Sequence, residues 1–287
     1  MSQFWQRYLN RSLKVLQESS SRMWHMAGAN EPSRAPRTLF RFNSHEDLQN
    51  FATGCDADIG GTSTVHLDLD ETSVVPTPDG KSTVQRPTGK FWGNMSLEVR
   101  RGYEGRIRAG YAGFRNKPRT SLFGTIMDDV TFHRYLALRV RVGGAPGLRN
   151  SYYVNIQTDG PIQSDLWQHR LFFRRNDGGW EDVFIDFNDF VLTNAGQVVT
   201  GSVEMNRERV RTVGVSLLGG NTHQAGPYEL GIDSISIIND EDIPAFSLKL
   251  PPSLQEPPKE GLEKEGLEVR ELSEKEAAEH TIPQPKQ

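Results

Sequence analysis

Tyr135-Leu-Ala-Leu-Arg-Val-Arg-Val142 is the stretch that decides the fold. Leu136, Leu138, Val140 and Val142 alternate with Ala137, Arg139 and Arg141. A period of two sends successive side chains to opposite faces of an extended chain, so this run reads as a strand with one face in a core. Tyr152-Tyr-Val-Asn-Ile-Gln-Thr158, Glu181-Asp-Val-Phe-Ile-Asp-Phe187 and Thr212-Val-Gly-Val-Ser-Leu-Leu218 are further rungs of the same ladder. Turn signals separate the rungs at Gly60-Gly61, Pro78-Asp79-Gly80, Gly143-Gly144, Asp159-Gly160, Asp177-Gly178-Gly179 and Gly219-Gly220-Asn221. Between Phe40 and Asp240 no segment shows convincing helical periodicity. Many short strands divided by turns predict an all-β, antiparallel sandwich or barrel. Such architectures usually bind, and catalysis would need a site that the loops visibly supply.

The 287 residues suffice for one large all-β domain with tails. The hydrophobic share of 36% is low for a globule, but the deficit lies mainly in the two ends, so the middle can still bury a core. Net charge is −4 and unevenly divided: +4 over residues 1–37, −3 over residues 246–287, and −5 in between. A middle of that sign repels phosphate backbones, which argues against nucleic acid as a partner. Cys55 is the sole cysteine, so no intramolecular disulfide or thiolate cage can form, and a reducing compartment is favoured over secretion. No apolar run approaches the roughly 18–20 residues of a membrane-spanning helix.

Residues 3–17 form the one strongly helical stretch. At about 100° per residue, Phe4, Trp5, Tyr8, Leu9, Leu13, Val15 and Leu16 share a broad arc, with Arg7, Arg11 and Lys14 opposite and no acid before Glu18. An amphipathic, Arg- and Ser-bearing, acid-poor N-terminus is the pattern of a mitochondrial presequence. The alternative is an amphipathic helix docked on the domain or on a membrane surface. We assign residues 1–26 to this arm, 27–37 to a linker and 38–245 to the β-sandwich. Residues 246–287, rich in Pro, Glu and Lys, are expected to be a disordered tail. Within the domain, Val74–Gly89 carries three prolines and reads as a long loop. Ser44–Phe51 is expected to hold a short helix with Ser44 as its N-cap and Asp47 at N3.

The residues that could carry chemistry are scattered. Asp56, Asp58, Asp68 and Asp70 surround Gly60-Gly61, but their spacing is not that of a calcium loop, and they read as turn and surface carboxylates. The seven histidines show no metal-binding spacing. Cys55 lacks a basic neighbour, which favours a structural thiol over a nucleophile. Gly102, Gly105, Gly110 and Gly113 are wrongly spaced for a nucleotide loop. Asp128-Asp129 and Asp186/Asp189 could be imagined as glycosidase pairs, although Asp186 and Asp189 bracket Phe187 and Phe190 in the manner of a capped strand end. Trp92, Trp167 and Trp180 could stack on sugars if exposed; core placement is the expectation. No catalytic, cofactor or metal-binding residue is assigned.

The middle resembles a known family. Asp58-Ile-Gly-Gly-Thr-Ser63, Phe91-Trp-Gly-Asn-Met-Ser96 and Ala109-Gly-Tyr-Ala-Gly-Phe114 stand in the order and spacing of the complex I intermediate-associated proteins. Tyr152–Thr158, Asp165–Phe173, Trp180–Phe187 and Gly226–Ile235 continue the match, which covers roughly Leu39–Asp240. The resemblance implies a jelly-roll β-sandwich of the galactose-binding-domain type. It also implies a mitochondrial, non-enzymatic assembly factor of respiratory complex I. Such a factor would bind assembly intermediates with other assembly factors, peripherally to the inner membrane in the matrix, and be absent from the mature enzyme. The family supplies no agreed catalytic residues to carry over, and Asp186 departs from the proline often found there. The rival function is a carbohydrate-binding module. Gly60-Gly61 are expected to make a tight turn, and Gly93 to let the strand bend or another backbone come near.

Overall fold

The computed structural model describes residues 3–24, 33–77, 81–201 and 203–243. The expected tail, most of the linker and the Pro78-Asp79-Gly80 turn lie outside those residues. Helix α1 (Gln3–Trp24) precedes strand β1 (Arg37–Arg41), the short helix α2 (His45–Leu48), β2 (Phe51–Cys55) and β3 (His66–Asp70). Next come β4 (Val74–Pro76), β5 (Thr83–Gln85), β6 (Thr88–Met95), β7 (Tyr111–Asn116), β8 (Arg119–Ser121) and β9 (Gly124–Ile126). The longer strands β10 (Tyr135–Gly144), β11 (Tyr152–Thr158), β12 (Asp165–Arg170) and β13 (Glu181–Asp186) follow. The chain then runs through β14 (Val191–Asn194), β15 (Gln197–Val198), β16 (Val210–Leu218), the helical turn α3 (Gly219–Thr222) and β17 (Gly226–Ile238).

Two antiparallel sheets make the sandwich. One has the order β13-β10-β17-β6-β3, with β1 also paired to β17; the other runs β15-β14-β12-β11-β16-β7-β2. Hydrophobic alternation fixes their registers. Leu136, Leu138, Val140 and Val142 are at most 3% exposed, whereas Ala137, Arg139 and Arg141 face outward. On the core side of the seven-stranded sheet, Val154 and Ile156 of β11 lie beside Val215 and Val213 of β16, all buried. Phe114 sits among Phe42, Phe51 and Phe91 at ring separations of 5.9, 5.8 and 5.0 Å. Such rings each contribute about 1.5–3 kcal/mol on burial, and edge-on geometry adds to that.

Several local expectations meet their cause. Ser44 accepts a hydrogen bond from the Asp47 N–H at 3.1 Å and caps α2, while Phe51 is already in β2. Asp186 ends β13 and accepts from the Asn188 N–H at 2.9 Å, the expected capped strand end. The loop expected at Val74–Gly89 is a correction: β4 and β5 form a hairpin there and β6 begins at Thr88. β-branched Val74, Val75, Thr83 and Val84 supply the strand preference, and Pro76 sits at the end of β4, where it interrupts least. A second hairpin, β8–β9, lies off both main sheets.

Helix α1 extends beyond the expected 3–17, to Trp24. It meets the domain through a polar edge: Ser12, 4% exposed, accepts from the Leu122 N–H at 3.0 Å, and Arg11 donates to Asn50 Oδ1 at 3.0 Å. Leu9, Leu13 and Leu16 of its apolar arc stay exposed.

Candidate functional site

The first three sequence motifs meet at one buried carboxylate. Asp56 opens the turn Asp56–Ile59 as expected but is 1% exposed, which corrects its reading as a surface group. Its Oδ1 accepts from the Ser63 N–H at 3.0 Å, and its Oδ2 accepts from the Ser63 hydroxyl at 2.9 Å and from the Tyr111 N–H at 3.3 Å. The Gly110 N–H also donates to Oδ2. Ser63 Oγ in turn accepts from the Ser96 N–H at 3.0 Å. The 58–63, 91–96 and 109–114 segments are thereby clamped together at the strand ends that join the two sheets. Four donors occupy most of the lone pairs of its two oxygens.

Glycine is required where the backbones crowd. Gly60 turns the chain at φ 115°, and a Cβ on Gly61 would lie 2.4 Å from the Asp56 carboxyl carbon. A Cβ on Gly93 would lie 2.1 Å from the Thr64 carbonyl oxygen, so another backbone does approach there. Cys55 is half-buried, its Sγ–H donates to the Ser63 carbonyl at 3.3 Å, and burial raises its pKa.

The remaining candidate carboxylates also serve structure. Asp128 is 6% exposed and pairs with Arg37 at 3.4 Å and with Arg119. Asp233, missed in the sequence, is the unpaired residue of a bulge in β17. It is 3% exposed, pairs with Arg86 and accepts from the Asn43 amide at 2.9 Å. Burial pushes the Asp186 carboxyl upward, but bonds from Arg134 and the Asn188 N–H outweigh it and leave the pKa lowered. Asp68 accepts from the Trp92 indole N–H at 2.8 Å. Among the described residues no cluster of three or more His, Cys, Asp or Glu has metal-binding geometry.

The tryptophans part company. Trp167 joins the core, and Trp180 is buried over Gly231 on the outer side of the six-stranded sheet, with Arg141 5.7 Å from its ring centre. Trp92 corrects the core expectation: it is 38% exposed, and stacks on His66 at 4.5 Å. Alternation along β6 sends Phe91 inward and therefore Trp92 outward.

The outer faces of the two sheets handle charge differently. On the six-stranded face, Arg139 holds Asp182 through two bonds of 2.7 and 2.8 Å. Arg141 pairs with Glu229 at 3.2 Å and Asp70 at 3.5 Å, and Lys90 with Glu229 at 2.9 Å. On the seven-stranded face, the registers align Arg115, Gly214, Asn155 and Gln168 in one row, and Gly113, Ser216, Tyr153 and Arg170 in the next. Gln168 donates to Asn155 Oδ1 at 2.7 Å, Asn155 donates to Ser216 Oγ at 2.9 Å, and Thr193 donates to Gln168 Oε1 at 3.0 Å. Arg170 donates to the Tyr153 hydroxyl at 3.0 Å.

These features define an antiparallel two-sheet β-sandwich of the jelly-roll type, clamped at one end by a buried aspartate and carrying a flat polar face. The sequence pattern of the Complex I intermediate-associated protein 30 family (CIA30) matches residues 40–232. The chain belongs to that family. It is 36% identical over 222 residues to the Neurospora crassa protein named "Complex I intermediate-associated protein 30, mitochondrial", covering 72% of this chain and 75% of that one. The Mus musculus protein of the same name is 26% identical over 207 residues, covering 71% of this chain and 56% of its own length. Among solved structures, the family 11 carbohydrate-binding module from Clostridium thermocellum aligns at TM-score 0.47 and 12% identity over 72% of this chain and 98% of the module. A likeness of that size carries no argument about ligands.

Proposed function

We propose that this chain is a non-catalytic assembly factor that binds intermediates of mitochondrial respiratory complex I and leaves before the enzyme is complete. Its place is the matrix, peripheral to the inner membrane and alongside other assembly factors. The observation that carries this reading is the family match across residues 40–232, which spans the sandwich and its clamp. Two relatives named as mitochondrial complex I intermediate-associated proteins support the setting. A holding role also suits the carboxylates: Asp56, Asp128, Asp182 and Asp233 are each engaged by donors within the fold. Release needs only that the surface bound in the intermediate be better complemented by a later subunit, a difference in affinity between two states.

Deleting the gene is the test. Mature complex I and its NADH:ubiquinone activity should fall several-fold, partial assemblies should accumulate, and the wild-type chain should restore both. Normal levels of the mature enzyme in a clean deletion would contradict the proposal.

A further inference from the structure

Resting on the assembly-factor reading, we infer that the outer face of the seven-stranded sheet is the docking surface, and that it takes an extended, carboxylate-bearing polypeptide segment of a partner subunit. The contrast between the two faces leads here. Across the six-stranded face, Arg139, Arg141 and Lys90 are each matched by an acid within the chain. On the seven-stranded face, among the described residues, Arg115 is exposed and makes no ion pair, and Arg170 contacts the hydroxyl and ring of Tyr153 without an ion pair. Two guanidiniums without carboxylates flank the amide row. At the margins of this face, Asp58 is held by the Cys55 N–H and Asp165 by the Asn194 amide.

Hydrogen-bonding chemistry narrows the occupant. A carboxamide offers two N–H donors and two acceptor pairs. Toward its neighbours Asn155 donates one N–H and accepts one bond, and Gln168 does the same. Ser216, itself buried, accepts from Asn155 and anchors that end of the ladder. The ladder is thus pre-ordered by bonds along itself while keeping both donors and acceptors for a ligand. An extended backbone presents alternating N–H and C=O groups, which such a mixed row can meet. Arg115 and Arg170 then take the segment's carboxylates, in geometry that allows paired bonds. Pre-ordering lowers the entropic cost of docking.

The test uses the full, tagged chain in cells lacking the native copy. A photo-crosslinking residue replaces Arg115, and in a second strain Asn94, which is exposed on the six-stranded face. The expected result is crosslinking to one polypeptide from position 115, mapping to a segment rich in Asp or Glu, and at least tenfold less from position 94. The double variant Arg115→Glu/Arg170→Glu should retain the wild-type melting temperature but recover at least tenfold less of the complex I intermediates on affinity capture. Asn94→Glu should recover within twofold of wild type. Crosslinks mainly from position 94, or adducts from 115 that are oligosaccharide or lipid, would overturn the inference, as would undiminished capture by a folded double variant. If the double variant does not fold, the crosslinking pair decides. Failure of the wild-type chain to capture any intermediate would instead refute the assembly-factor reading itself.

Discussion

Asp56 shows how much a single side chain can organise. Its oxygens receive hydrogen bonds from Ser63, Gly110 and Tyr111, so they join segments more than fifty positions apart. Asp56→Ala would strand several buried N–H groups, and we predict a loss of about 2–4 kcal/mol, read from chemical denaturation at neutral pH. A melt unchanged from wild type would contradict this role. Gly61→Ala should also destabilise, by about 1–3 kcal/mol, since the new methyl would meet the immobile Asp56 carboxyl. The need for glycine at 60, 61 and 93 is legible from the sequence as turn and close-approach chemistry. The role of Asp56 is not. Its partners at 110 and 111 come from a distant segment, and nothing local separates it from an ordinary turn carboxylate.

At the scale of elements, alternation makes the long strands readable. β10 is the plainest case, because its apolar and polar residues separate cleanly onto two faces. The hairpin β4–β5 is harder to foresee: with three residues per strand, period-two patterning has no room to show, and prolines dominate the signal. In α1, amphipathic periodicity finds the helix but not its orientation, since the contact to the domain is made by Ser12 and Arg11. Leu13→Ser, on the exposed arc, should therefore change stability by no more than about 0.5 kcal/mol. A larger loss would mean that the arc is covered.

The turns between elements also set a pH dependence. Bonding to Arg175 holds the Asp177 carboxyl down at about 2, and bonding to Arg134 lowers that of Asp240. Asp70 is lowered chiefly by the Thr72 hydroxyl. Carboxyls depressed on folding stabilise fully above their unfolded values near 4, and that contribution is lost as pH falls through the folded values. Melting temperature should thus hold from pH 7 to about 5 and fall between about 4 and 2. A flat profile over that lower range would contradict these pairings.

For the whole molecule, order and spacing of the motifs say more than any one of them. Each is loose alone, yet the first three converge on Asp56 and Ser63, which explains why they keep their separation. Which face binds is not legible in one dimension, because a row such as Arg115, Gly214, Asn155 and Gln168 is assembled from four strands. Association with partly built complex I is what the proposed function requires. The most direct measurement is a native gel of gently solubilised mitochondria carrying the C-terminally tagged chain, with mass spectrometry of the bands that hold the tag. Tag should appear in sub-assemblies of complex I and be missing from the finished enzyme. Tag found only as free protein, or in the mature complex at stoichiometric amounts, would contradict it.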